Sequence, residues 1–344
     1  MNRNKNLDGV RGIAALSVSL AHCATVAGGV SIYAATFRDF PAMAPDAIML
    51  RLWHSIFNGD AAVILFFALS GFVLGRSLER EAYSPFVAFV PYVIKRMFRL
   101  LPATVAAGLL AWLLFPITVP QMIGTMLIYD NSVNGVLWSL QVEVIGSILI
   151  FALWSTRSRL PTLALIAFYC YAYRALPHVV TIIRSEFTLL PAAFVMGYVI
   201  PWVPKPAWNR TVLIGGIGIL MLSDLFFGRT WNTRIGQVIG AFIVVGSLQV
   251  NPLNFLNGSI SQFLGDMSYS FYLIHPLLLD RAATVTEQWH VGAPPIHAIA
   301  LATMTIPIAL VIAWISSKYI ENPGIKLGKR ILAKLKTPMQ QAEI

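Results

Sequence analysis

Apolar runs of membrane-spanning length recur along almost the whole chain, and no other feature restricts its fold as strongly. A helix crosses the hydrocarbon core with about 20 apolar residues, because it satisfies its backbone polar groups internally. Such windows fall at approximately 8–30, 59–78, 98–118, 135–155, 160–177, 187–203, 211–228, 235–250, 262–280 and 296–320. Only 12% of the 344 residues are charged and 57% are hydrophobic, which excludes a soluble domain of this length. The pattern predicts an all-α, polytopic membrane protein of about ten transmembrane helices. Breaks such as "FPITVP" (115–120), "VPKPAWNR" (203–210), "VNPLN" (250–254) and "GAPP" (292–295) separate the windows. The stretch 84–94, "SPFVAFVPYVI", is short and holds two prolines, so it reads as interfacial, with fusion to the third helix as the alternative. There is no internal repeat or soluble domain. The organisation expected is a membrane domain over 1–325 and a basic cytoplasmic tail over 326–344, suited to the membrane surface.

The net charge of +10 does not indicate nucleic-acid binding, because the basic residues sit in short clusters between apolar runs. Ten spans put both termini on one side. That side takes Arg3, Lys5, Arg11, Arg76, Arg80, Lys95, Arg96, Arg99, Arg157, Arg159, Lys205, Arg210, Lys318, Lys326, Lys329, Arg330, Lys334 and Lys336, which is 18 of the 25 basic residues. Arg38, Arg51, Arg174, Arg184, Arg229, Arg234 and Arg281 fall on the other. The bias places both termini in the cytoplasm. A basic cytoplasmic face suits anionic lipid headgroups or a phosphorylated cofactor.

Cys23 and Cys170 lie in apolar segments and are expected to be buried, with no disulfide framework and no metal site. "SLAHC" (19–23) loosely resembles a lipoprotein cleavage site, but Asp8 and Arg11 interrupt the preceding run and His22 replaces a small residue. A retained first helix is expected. Two glycosylation-type triplets, at 209–211 and 257–259, fall on the cytoplasmic side and are discarded.

Ionisable groups inside spans cost about 2.5–3.5 kcal/mol each on insertion scales and mark function. His22, Glu143 and His275 stand out. At about 1.5 Å rise per residue, they lie roughly 21, 18 and 20 Å from the cytoplasmic ends of their spans, in one layer. Arg11 and His22 are close to three full turns apart and share a helix face, with Asp8 beside Arg11. Such a stripe fits a long ligand with an anionic end and a reactive far end, the shape of coenzyme A. As alternatives, an intramembrane histidine can be an interhelical hydrogen bonder, and around His275 the following Pro276 and the aromatics of "SYSFYLIHP" can simply pack. Lys95, Arg96 and Arg99 form a basic cluster that reads either as a positive-inside anchor or as a phosphate clamp. Asp60 stands at an outer helix end, and Ala68, Ser70 and Gly71 permit close helix packing. Trp138 and Ser139 sit within about a turn of Glu143, suited to lining an outer cavity. No nucleophile elbow supports Ser139 as a nucleophile.

Several stretches together resemble the acyltransferase-3 family of integral-membrane acyltransferases, which includes bacterial O-acetyltransferases of surface glycans, Nod factors and macrolides. "LDGVRGIAALSVSLAH" resembles its opening helix, with Arg11 and His22 in an Arg-x10-His pattern. "FFALSGFVL", "KRMFRLLPA", "WSLQVEV", "LGDMSYSFYLIHP" and "YIENP" resemble later motifs in order, so the resemblance runs from residue 7 to about 330. Val144 departs from the second acidic residue often found after the glutamate. No hydrolase-like domain follows the last helix, so direct transfer to the acceptor is expected.

The resemblance implies transfer of an acyl group, most often acetyl, from cytoplasmic acyl-CoA to a hydroxyl of a glycan or lipid-linked sugar, in the bacterial inner membrane. It implies no metal and no nucleic acid. The roles it suggests are Arg11, Lys95, Arg96 and Arg99 on the phosphates, and His22 as general base or transient acyl carrier. Glu143 orients an imidazole or an acceptor hydroxyl, with Arg11 counted in the catalytic set. Asp8, Asp60, Trp138, Ser139, Tyr272 and His275 form the substrate-binding set. Two rival classes remain: a glycan or lipid transporter, and a sensor or scaffold tolerant of change at His22 and Arg11.

Overall fold

The computed structural model describes residues 4–30, 34–175, 186–228, 230–288 and 292–342. Arg3, Arg184 and Arg229 of the charge pattern lie outside the described residues. The described residues contain helices and no strand. The α-helices are α1 Lys5–Gly28, α2 Pro45–Ile56, α3 Gly59–Leu78, α4 Pro85–Leu114, α5 Val119–Met126, α6 Leu137–Ser155 and α7 Leu160–Ala175. They continue with α8 Glu186–Val199, α9 Arg210–Phe227, α10 Trp231–Leu248, α11 Ser259–Gln288, α12 Pro294–Ser316 and α13 Asn322–Ala342. Each window read from the sequence falls on one of these helices. Six stretches are long and apolar enough to cross a membrane: Lys5–Gly28, Pro45–Leu78, Pro85–Leu114, Leu137–Ser155, Arg210–Phe227 and Pro294–Lys334. Large apolar side chains such as Leu113, Ile214, Ile260 and Ile308 face outward, as lipid contact requires.

Two expectations change. The stretch 84–94 is not an interfacial segment but the first turns of α4. Pro85 occupies the first turn, where no helical donor is lost, and Pro91 and Pro102 are carried inside the helix. A π-turn at Ser317–Glu321 continues α12 into α13 without a break. Cys23 is buried, but Cys170 is exposed. The short helix α2 had no counterpart among the windows.

The N-terminus of α1 is capped by Asn4, whose side chain accepts from the Asn6 and Leu7 amides. Asn6 then bonds Asn257 and the Leu253 amide, tying α1 to the loop before α11. α1 and α11 run side by side in the same direction. Their backbones approach closely around Gly12 and Gly265: a Cβ added to Gly12 would lie 2.5 Å from the Gly265 amide nitrogen, and one added to Gly265 would lie 2.3 Å from the Asp8 carbonyl oxygen. Only glycine fits there, so this crossing sets the register of the two helices. A second close approach joins α3 to α8, where Gly71 meets the Phe194 backbone and the Phe67 and Phe194 rings stack at 5.0 Å.

Candidate functional site

Three cavities follow one another along α1. The first, of about 660 Å³, opens at the basic end and is lined by Asp8, Arg11, Arg76, Arg80, Lys205 and Trp208, among others. A narrow one of about 100 Å³ follows, lined by Arg11, Arg96, Arg99, Ser139, Glu143, Tyr269 and Tyr272. The third, of about 460 Å³ at the far end, is lined by His22, His54, Asp60, Trp138, Tyr272 and Asp280. Arg11 is a wall of the first two, and Val63 and Tyr272 are walls of the last two. Successive residues of one face of α1 therefore reach all three: Asp8 and Arg11, then Val18, His22 and Thr25.

His22 meets His275, not a carboxylate. His22 Nδ1 lies 3.1 Å from His275 Nε2, with ring centroids 5.2 Å apart. His275 is fully buried, and its Nδ1 lies 3.2 Å from the Phe271 carbonyl. A carbonyl only accepts, so His275 Nδ1 carries a proton and donates it. In neutral His275 the lone pair is then on Nε2, which accepts from His22 Nδ1–H. That leaves the lone pair of His22 on Nε2. Pro276 follows at once and lacks an N–H, so the helix ladder is already interrupted beside this contact.

Glu143 is placed differently from the expectation. It pairs with Arg96 in the narrow cavity, at the level of Arg11 and not of His22. The reason lies in α4. Because 84–94 is helical, Arg96 stands 11 residues inside α4, about 16 Å from its start, and not at the membrane mouth. A cation at that depth needs a partner, and Glu143 supplies it. Arg99 is likewise paired, with Glu321 at 2.5 Å, and Glu321 also accepts from the Ser270 hydroxyl at 2.8 Å. The expected clamp of Arg11, Arg96 and Arg99 converges on one cavity, but two of its members already hold carboxylates. Lys95 is exposed and is not a wall of the three cavities.

Tyr272 lines both the narrow cavity and the far one, and Ser139 lines the narrow one. Their hydroxyls are 2.8 Å apart, and Ser139 Oγ is also 2.8 Å from the Val136 carbonyl. The serine proton is thus directed to the carbonyl and its oxygen to the tyrosine, which argues against a nucleophilic role. Trp138 and Asp60 line the far cavity, and Asp60 pairs with Arg234 at 3.4 Å.

Sequence reasoning missed a second buried cluster at the far end. Arg51 is fully buried on α2 and donates to Asp224 on α9 at 3.2 Å, to Ser55 and to the Ala35 carbonyl. His54 Nδ1 lies 3.4 Å from the same Asp224 oxygen. Asp224 interrupts the apolar run "LMLSDLFF", and the rule that singled out Glu143 points equally to it. Glu321 was hidden by its place at the edge of the last window, in "YIENP".

The sequence model of the acyltransferase-3 family, described as an acyltransferase domain, matches residues 4–314. No curated protein and no solved structure matches the chain.

Proposed function

The chain belongs to the acyltransferase-3 family of membrane acyltransferases, and from that premise we propose that it transfers an acyl group, most simply acetyl, from cytoplasmic acyl-CoA to a hydroxyl of a glycan or lipid-linked sugar. In this reading ten helices cross a bacterial inner membrane, and both termini are cytoplasmic, on the basic side. The contact His22–His275–Phe271 carbonyl carries the reading, because it leaves an unprotonated Nε2 on a histidine at the wall of a roomy polar cavity.

His22 Nε2 removes the proton of the acceptor hydroxyl as its oxygen attacks the thioester carbon. A carbon–oxygen bond forms, the carbon–sulfur bond breaks, and the proton passes from Nε2 to the departing thiolate, giving the ester and coenzyme A. His275 acts on His22 alone, as a positioning residue. It holds the ring and accepts from Nδ1 while the imidazolium exists. A neutral acceptor suits this depth, since a carboxylate there carries a larger desolvation penalty. Asp60, Trp138 and Tyr272 bind the acceptor. Arg11, shared by two cavities, steers the donor arm inward. The rival reading as a transporter gains no support from the family.

The test is direct. Purified protein in nanodiscs should release coenzyme A thiol from acetyl-CoA when a glycan acceptor is present. Mass spectrometry of surface glycans from cells with and without active protein should then reveal the acylated sugar. A well-folded protein that neither binds nor consumes any acyl-CoA would sink the proposal.

A further inference from the structure

We infer that the wide cavity at the basic end is the nucleotide subsite of the donor, and that Arg76, Arg80 and Lys205 hold its phosphates. This rests on the acyl-CoA reading above and assigns the anionic half of that ligand to a place. The arginines of α4 are poorly suited to it. Arg96 and Arg99 are each paired, and Glu321 is only 2% exposed. A phosphate that displaced these partners would leave a buried carboxylate unpaired.

The cations of the wide cavity differ in their partners, since Arg99 is 36% exposed but the carboxylate it would leave behind is buried. Arg80 and Lys205 are exposed. Arg76 bonds Glu79 at 3.1 Å, but both side chains are more than one third exposed. Such a pair is worth little and exchanges readily for a phosphate. Arg11 adds a further positive charge where the cavity narrows, and Asp8 is a carboxylate in its lining. A blander reading has Arg76 and Arg80 offset the dipole at the C-terminus of α3 and obey the charge bias. That reading accounts for the residues but not for a cavity of about 660 Å³ between them and Lys205, which comes from the segment joining α8 to α9. The order wide, narrow, wide also matches a bulky nucleotide, a thin arm and a thioester meeting its acceptor.

The experiment compares two donors, acetyl-CoA and acetyl-pantetheine, on the full-length protein in nanodiscs. Pantetheine keeps the thioester and lacks phosphates and nucleotide. The triple variant Arg76→Gln/Arg80→Gln/Lys205→Gln should raise KM for acetyl-CoA roughly tenfold or more while leaving kcat, and the rate with acetyl-pantetheine, unchanged. Arg76→Lys/Arg80→Lys, with Lys205 kept, should retain most of the affinity for acetyl-CoA. Lys329→Ala, on the exposed face of α13, should change neither donor. Calorimetry with the adenosine bisphosphate fragment of coenzyme A should show binding to wild type and loss in the triple variant. Unchanged KM for acetyl-CoA, or equal loss with both donors, overturns the assignment. If neither donor is used yet the bisphosphate binds and the triple variant abolishes it, the acyltransfer reading fails and the nucleotide site stands. If the bisphosphate does not bind wild type, the site itself is refuted.

Discussion

Two histidines line the far cavity, and their surroundings differ in one respect. His54 sits against Asp224, which a fully buried Arg51 also engages. His22 sits against His275, a neutral partner that is itself anchored on a carbonyl. The first cluster binds α2 to α9 through a buried ion pair, and removing either partner would strand the charge of the other. The second joins α1 to α11 through dipoles only. In the proposed reaction the bond at Nδ1 is kept while Nε2 carries the proton of the acceptor hydroxyl. In the proposed reading the same side chain serves as a brace in one place and as a base in the other, and the partner decides which.

His22→Ala should have the largest effect on turnover. Transfer should fall by about 10²–10⁴ or more, with the protein still inserted and monodisperse on size exclusion. Full activity would refute the assignment. Next, His275→Leu should lower kcat strongly with little change in KM, and His275→Gln, which keeps an acceptor for His22, should recover much of it. Equal loss in both variants would mean that His275 merely fills space. Asp224→Ala tests the other cluster. It strands the Arg51 charge and should destabilise the fold by about 3–5 kcal/mol in detergent unfolding, while the folded fraction keeps its turnover. Loss of turnover at unchanged stability would place both histidine clusters in the chemistry. The smallest effect is expected from Tyr272→Phe, a decrease of a few fold, because Ser139 retains its bond to the Val136 carbonyl.

The helices were legible because apolar length and breaks report them directly, and every window found its helix. Distances along a single helix were legible too. Asp8, Arg11 and His22 line successive cavities, as their spacing requires. Relations between helices were not legible. Glu143 was placed level with His22 because its depth was counted from the end of its own span, and the count ignores how α6 is staggered against α1 and α4. The prolines of "SPFVAFVPYVI" concealed the start of α4, and with it the depth of Arg96 and Arg99. The pairing of Arg51 with His54 was not legible because α2 is too short to read as a span, although they lie three residues apart on one helix face.

The crossing at Gly12 and Gly265 has a geometric consequence. Each histidine of the pair stands ten residues beyond its glycine, Gly12 to His22 and Gly265 to His275. Two parallel rulers laid from a common zero reach the same mark together, here about 15 Å along. One residue inserted between glycine and histidine in either helix would shift its ruler by about 1.5 Å and turn the ring through about 100°. The two stretches should therefore accept many changes of side chain and none of length.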